Sequence, residues 1–120
     1  MAALPNLRLR IVFGTNAMLG PGKVDLLQAI HDTGSIAAAG RVMGMSYKRA
    51  WMLVEAMNAA FRDPLVASAR GGAKGGGAVV TPAGQAVLRQ YRALEEITAQ
   101  AGRAQIAALA AMLRDMSDGK

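Results

Sequence analysis

A mainly α fold with a small β-hairpin is predicted by three observations. Gly34 to Trp51, reading G-S-I-A-A-A-G-R-V-M-G-M-S-Y-K-R-A-W, holds two helix starts with a tight turn between them. Two short β-prone runs, Leu65 to Arg70 and Ala78 to Thr81, flank the glycine-rich stretch Gly71 to Gly77. Thr81-Pro82 then opens a long segment that reaches about Asp115 without another proline. At 120 residues, 52% hydrophobic and 18% charged, the chain has the composition of one folded unit and not of a disordered one.

The elements follow in order. Leu7 to Phe13 alternates at first, with Leu7, Leu9 and Ile11 on one side and Arg8, Arg10 and Val12 on the other, which predicts a strand with one buried face. Gly14 to Gly22 reads as a loop. From about Lys23, Val24, Leu27 and Ile30 recur at helical spacing beside Leu26, so a helix is expected to run to Thr33 and to stop at Gly34. His31, the single histidine, falls near its end, where it complements the helix dipole. With no second histidine and no cysteine it has no partner for a metal site.

Ser35 follows a glycine and precedes an Ala-rich run, so its hydroxyl can accept from an orphan N–H of a new helix. That helix, Ile36 to Met43, is expected to end at Gly44, where a left-handed backbone is cheap. Only Met45 separates Gly44 from Ser46, a second cap, and the next helix carries Tyr47, Lys48 and Arg49 in its first turn. Two helices joined so tightly cross steeply and form a helix-turn-helix whose second member points its N-terminal side chains outward. Ala37, Ala38, Ala39 and Gly40 let the two axes approach. The second helix is expected to reach about Arg62, with Ala50, Leu53, Val54, Met57 and Phe61 as its apolar stripe and Lys48, Arg49, Glu55 and Arg62 on the other face. Trp51 lies beside the stripe and is expected mainly in the core, with its edge turned to a partner as the alternative. Asp63-Pro64 ends the helix.

The hairpin that follows has a basic tip. It is no nucleotide-binding loop, because the G-x-x-x-x-G-K-[ST] spacing is absent and no Ser or Thr follows Lys74. Arg70 and Lys74 can reach a phosphate backbone or a minor groove; a plain surface loop is the competing reading. After Thr81-Pro82 one helix of about 34 residues, roughly 50 Å long, is possible. A domain this small cannot cover such a length. The apolar positions Val87, Leu88, Tyr91, Leu94, Ile97, Ile106, Leu109, Met112 and Leu113 therefore predict pairing with a second copy of the chain. A break near Gly102, giving two shorter helices, is the alternative.

Charge points to a partner. The net charge is +6, and residues 1–74 hold nine basic groups against four acidic ones. Arg41, Lys48, Arg49, Arg62, Arg70 and Lys74 cluster around the helix pair and hairpin, so a polyanion fits best. The uncharged run Ile11 to Gly22 is short of the roughly 20 apolar residues a membrane span needs and is interrupted by Gly14, Asn16, Gly20 and Pro21. The start M-A-A-L-P-N-L lacks the pattern of a secretory signal, so a cytoplasmic location is expected, with no membrane partner. No catalytic set can be assembled around one histidine, so an enzyme is not expected, and no cofactor is called for.

G-S-I at 34–36, S-Y-K-R-A-W at 46–51 and G-G-A-K-G-G-G-A-V-V-T at 71–81, followed by G-Q at 84–85, together resemble the N-terminal domain of the ModE family of molybdate-responsive transcription regulators, a winged helix-turn-helix of the LysR type. The resemblance spans about residues 20–115. It implies a mainly α fold with a small β-wing: a winged helix-turn-helix over residues 1–81, with an N-terminal strand, and a long C-terminal dimerisation helix over 82–120 in the same folding unit. It also implies a recognition helix from Ser46, a wing at Arg70 to Gly77, and double-stranded DNA as the partner of a homodimer. In the family's full-length members tandem Mop-type barrels bind molybdate or tungstate; this chain ends before any such region, so oxyanion binding is not supported by the sequence. Ser68-Ala69-Arg70 matches only the start of the Mop signature and carries no weight.

The expected DNA-binding residues are Ser46, Tyr47, Lys48 and Arg49 in the major groove, with Ser35, Arg70 and Lys74 on phosphates. The expected dimerisation residues are Val87, Leu88, Tyr91, Leu94, Ile106, Leu109 and Leu113. Two other readings compete: a molybdate- or oxyanion-binding carrier, and an interaction module that forms hybrids with a full-length relative.

Overall fold

The computed structural model describes residues 7–69 and 77–114. The chain begins with a small antiparallel hairpin in which β1 (Ile11–Val12) pairs with β2 (Met18–Leu19) and Ile11 lies opposite Leu19. The expected strand is thus cut to two residues, and the expected loop holds a return strand. The cause is local: the Phe13 N–H donates to the Ala17 carbonyl at 2.8 Å and folds Gly14, Thr15 and Asn16 into a turn. Leu9 precedes the hairpin and packs on the core.

Helix α1 (Pro21–Thr33) starts two residues earlier than expected, with proline in the first turn, where its missing N–H costs nothing. Its Val24, Leu26, Leu27 and Ile30 are completely buried, and α2, α3, α4 and β4 all pack against it. Gly34 ends it at φ 73°, donating its N–H to the Ile30 carbonyl.

Helices α2 (Ile36–Met43) and α3 (Tyr47–Ala60) form the helix-turn-helix. Ser35 Oγ accepts from the Ala38 N–H at 3.0 Å and Ser46 Oγ from the Arg49 N–H at 3.1 Å, so both caps are made as the sequence suggests. Gly44 turns the chain at φ 70°, and the Met45 N–H closes the turn on the Gly40 carbonyl at 2.9 Å. A Cβ at Gly40 would lie 3.3 Å from that of Ala50, which measures how closely the axes approach. Ala50, Val54 and Met57 form the buried side of α3, with Leu53 and Phe61 half-buried at its margin.

The wing strands β3 (Val66–Ala69) and β4 (Gly77–Val80) pair antiparallel, Val66 opposite Val80 and Ala69 opposite Gly77. Asn58 fastens the wing to α3: its Oδ1 accepts from the Leu65 and Val66 N–H groups at 2.8 and 3.2 Å, while its Nδ2 donates to the Val66 carbonyl at 3.0 Å. The other edge of β4 is tied to the helix pair by the Ala78 N–H, which donates to the Gly34 carbonyl at 2.9 Å. Each bond satisfies a backbone group that a two-stranded sheet would otherwise leave open.

The long C-terminal segment is broken at Gly102 into α4 (Pro82–Ala101) and α5 (Arg103–Ala111). The interruption falls at the one glycine beyond the first turn, where helical order is least favoured. Thr81 caps α4 by accepting from the Gly84 N–H at 3.0 Å and donates its hydroxyl to the Pro64 carbonyl at 2.7 Å. Gly84 is buried so tightly that a Cβ would clash with the Leu65 carbonyl oxygen and meet Val80 Cγ1 at 2.6 Å. Leu88 and Tyr91, expected on the dimerisation face, are instead buried in the chain's own core, because this side of α4 packs on α1 and reaches Leu9, ahead of the N-terminal hairpin. The Tyr91 hydroxyl donates to the Leu9 carbonyl, and burial, reinforced by Glu95, pushes its pKa up and keeps it a donor. Asp25 accepts from Arg8 at 3.1 Å and from Arg92 at 3.3 Å, joining the N-terminal arm, α1 and α4 at the surface.

Two substitutions test these joints by thermal denaturation. Gly84→Ala should lower stability by about 1–3 kcal/mol, since overpacking against backbone outweighs the roughly 1 kcal/mol gained in helix propensity. Asn58→Ala strands two backbone donors and an acceptor at the root of the wing and should cost about 1–3 kcal/mol.

Candidate nucleic-acid interface

Helix α3 presents its first turn to solvent. Ser46, Tyr47, Lys48 and Arg49 are all exposed, and Ala50, next in sequence, is the first residue buried against α1 and α2. Among the described residues the ion pairs involve only Arg8, Arg92, Asp25 and Glu95, so Arg41, Lys48, Arg49 and Arg62 meet no carboxylate there. The first turn of α3 carries no acid. Cations at a helix N-terminus oppose the macrodipole at a cost of about 0.3–1 kcal/mol each. Two adjacent cations in that place are unfavourable for the helix alone and favourable once an anion lies against it.

Ser35 sits half-buried at the start of α2, its hydroxyl occupied as a cap and its N–H donating to Thr33 Oγ1 at 3.3 Å. The first-turn N–H groups of α2, on Ile36 and Ala37, have no intrahelical acceptor and are open to an outside one. The structure therefore sets two helix N-termini, those of α2 and α3, on one unit joined by Gly44. Arg70 and Lys74 lie outside the described residues, between β3 and β4 in the sequence.

Sequence reasoning missed part of this surface. Trp51, expected mainly in the core, is 40% exposed, because α3 buries Ala50, Val54 and Met57, and Trp51 is turned about 100° from Ala50 around the axis. Met52 is 60% exposed. Tyr47, Lys48, Trp51, Met52 and Glu55 border one shallow depression along the outer face. Lys23, from α1, joins Ser46, Lys48 and Arg49 around a second one, its Nζ held by the Met18 carbonyl at 3.1 Å. The helical wheel of α3 already puts 48, 52 and 55 opposite 50, 54 and 57; Trp51, between the two sides, and Lys23 needed the tertiary fold.

A second surface lies on α4 and beyond. The N-terminal hairpin and α4 enclose an apolar groove bordered by Ile11, Phe13, Leu19, Phe61, Val87 and Leu94, with the Phe13 and Phe61 rings edge to face at 6.5 Å. Leu94, Ile97, Leu109, Met112 and Leu113 are exposed, and Ile106 is half-buried. Of the expected dimerisation residues, Val87, Leu94, Ile106, Leu109 and Leu113 thus remain at or near the surface, while Leu88 and Tyr91 are taken up within the chain. His31 is exposed in the last turn of α1. Among the described residues no group of three His, Cys, Asp or Glu side chains could hold a metal ion, and no helix is long and apolar enough to cross a membrane.

Residues 22–85 match the family of bacterial regulatory helix-turn-helix proteins of the lysR type. Similar proteins include the molybdenum-pterin-binding protein MopB of Rhodobacter capsulatus, 52% identical over 68% of this chain and 30% of that one. They also include the molybdenum transport protein ModE of Azotobacter vinelandii, 38% identical over 73% of this chain and 33% of that one, and the DNA-binding transcriptional dual regulator ModE of Escherichia coli K12, 40% identical over 68% and 31%. The matched stretch therefore spans about a third of these relatives. Among solved structures, the DNA-binding domain of CbnR in complex with DNA superposes with a TM-score of 0.58 at 23% identity, covering 73% of this chain and 95% of that one, a likeness of fold. The motifs of the helix pair, the capped turns of the structure and the family match agree: the chain belongs to the lysR family of bacterial regulatory helix-turn-helix proteins.

Proposed function

We propose that the chain is the DNA-binding part of a transcription regulator that acts in the cytoplasm as a homodimer. The observation that carries this reading is the pair Lys48 and Arg49, free of carboxylate partners among the described residues and set at the positive end of an exposed, capped helix. Such an end is stable next to a polyanion. Family membership and the ModE relatives support the same reading. Ser46, Tyr47, Lys48 and Arg49 enter the major groove, where an arginine or lysine bridges guanine O6 and N7. Ser35, with the N–H groups of its helix, holds a phosphate, as do Arg70 and Lys74 of the wing.

Dimerisation rests on the apolar surface of α4 and α5, where Leu94, Ile97 and Leu109 are exposed without a partner in the single chain. Two-fold pairing there presents two copies of α3 to an inverted repeat, at a spacing set by the helical turn of DNA. A second reading, molybdate or oxyanion binding, is favoured by the name of the molybdenum-pterin-binding relative MopB alone. Calorimetry with molybdate on this chain separates the two.

Arg49→Ala should lose about tenfold or more in discrimination at particular base pairs while retaining salt-dependent binding to any duplex, measured by fluorescence anisotropy between 50 and 200 mM salt. Equal discrimination by the variant and the wild type would refute the role given to Arg49. Leu94→Glu combined with Ile97→Glu should convert a dimer to a folded monomer in sedimentation and weaken operator binding; an unchanged mass would remove these residues from the interface.

A further inference from the structure

We propose that Trp51 and Met52 form an apolar strip that reads thymine methyl groups, so that specificity depends on the middle of α3 as well as on its charged first turn. This rests on the DNA-binding reading above. Both side chains are large, and both stand in solvent, Trp51 at 40% and Met52 at 60% exposure. A helix that only had to fold would be expected to carry polar residues there.

Their position decides the occupant. Trp51 lies one turn beyond Tyr47 and Met52 one turn beyond Lys48, so the strip continues the cationic end along the same face. Tyr47, Lys48 and Glu55 border the same depression as the strip. Lys48 and Arg49 in the first turn, ahead of the strip, complement a polyanion. Glu55 identifies which part of that polyanion it meets: a carboxylate is repelled by phosphates, whereas on the groove floor it accepts from the N4 amino group of cytosine. The outer face of α3 is therefore directed at base edges. On the major-groove edges of the four base pairs the thymine C5 methyl is the apolar group, and an indole edge and a thioether are suited to cover it. One turn of helix rises about 5.4 Å, so the strip falls on base pairs one or two steps from those met by Lys48 and Arg49.

The experiment selects the preferred duplex from a random pool and replaces each thymine in a half-site, one at a time, by deoxyuridine. Only a methyl group is lost. The wild-type chain should lose about fourfold in affinity at one or two positions. Trp51→Ala or Met52→Ala, checked for a native circular dichroism spectrum, should bind the parent duplex correspondingly less well and become indifferent to deoxyuridine at one of those positions. Indifference of the wild type at every thymine, or undiminished sensitivity in both variants, would overturn the proposal while leaving DNA binding intact. Failure to select any preferred duplex would overturn the DNA-binding reading and this proposal with it.

Discussion

The burial of one helix holds the molecule together. Val24, Leu26, Leu27 and Ile30 of α1 are wholly removed from water, and α2, α3, α4 and one wing strand rest on them. Each such side chain contributes about 1.5–3 kcal/mol in transfer free energy. Because α1 is the common support, the orientation of α3 toward any ligand is set by packing behind it. The exposed face of α3 is thus free to carry residues that contribute nothing to the fold.

That freedom is visible in what the surface contains. Two cations occupy a helix start that electrostatics disfavours, and a tryptophan and a methionine stand where polar residues would serve the isolated chain better. Elsewhere the same chain places its charges economically: Asp25 accepts from two arginines across three segments, and Arg92 also pairs with Glu95. On the outer face of α3 the charged and the apolar departures fall together, whereas those of α4 and the residues beyond it, Leu94, Ile97, Leu109 and Leu113, are apolar. Departures of this kind collect where binding, not folding, selects the residue.

Much of the architecture was legible because it is local. Ser35, Ser46 and Thr81 announce helix starts through a hydroxyl and the N–H three residues on, and all three caps form. Gly34 and Gly44 announce helix ends through the left-handed backbone, and both adopt it. What was not legible depends on distant contacts. Nothing near Asn58 in the sequence shows that it will bind the root of the wing, and Gly84 reads as a mild helix weakness until the Leu65 carbonyl is found against it. Tyr91 fits an intermolecular stripe by spacing, yet its hydroxyl is satisfied by Leu9, 82 residues away. For the candidate site, the charged first turn was readable from spacing, whereas the exposure of Trp51 depends on which neighbours α1 and α2 claim.

The selection of binding sites from random duplex DNA decides whether the outer face of α3 distinguishes one base sequence from another. An inverted repeat whose half-sites lie one helical turn or a multiple apart should be enriched, as a two-fold pair of recognition helices requires. A pool that binds through its phosphates and yields no enriched sequence would contradict this.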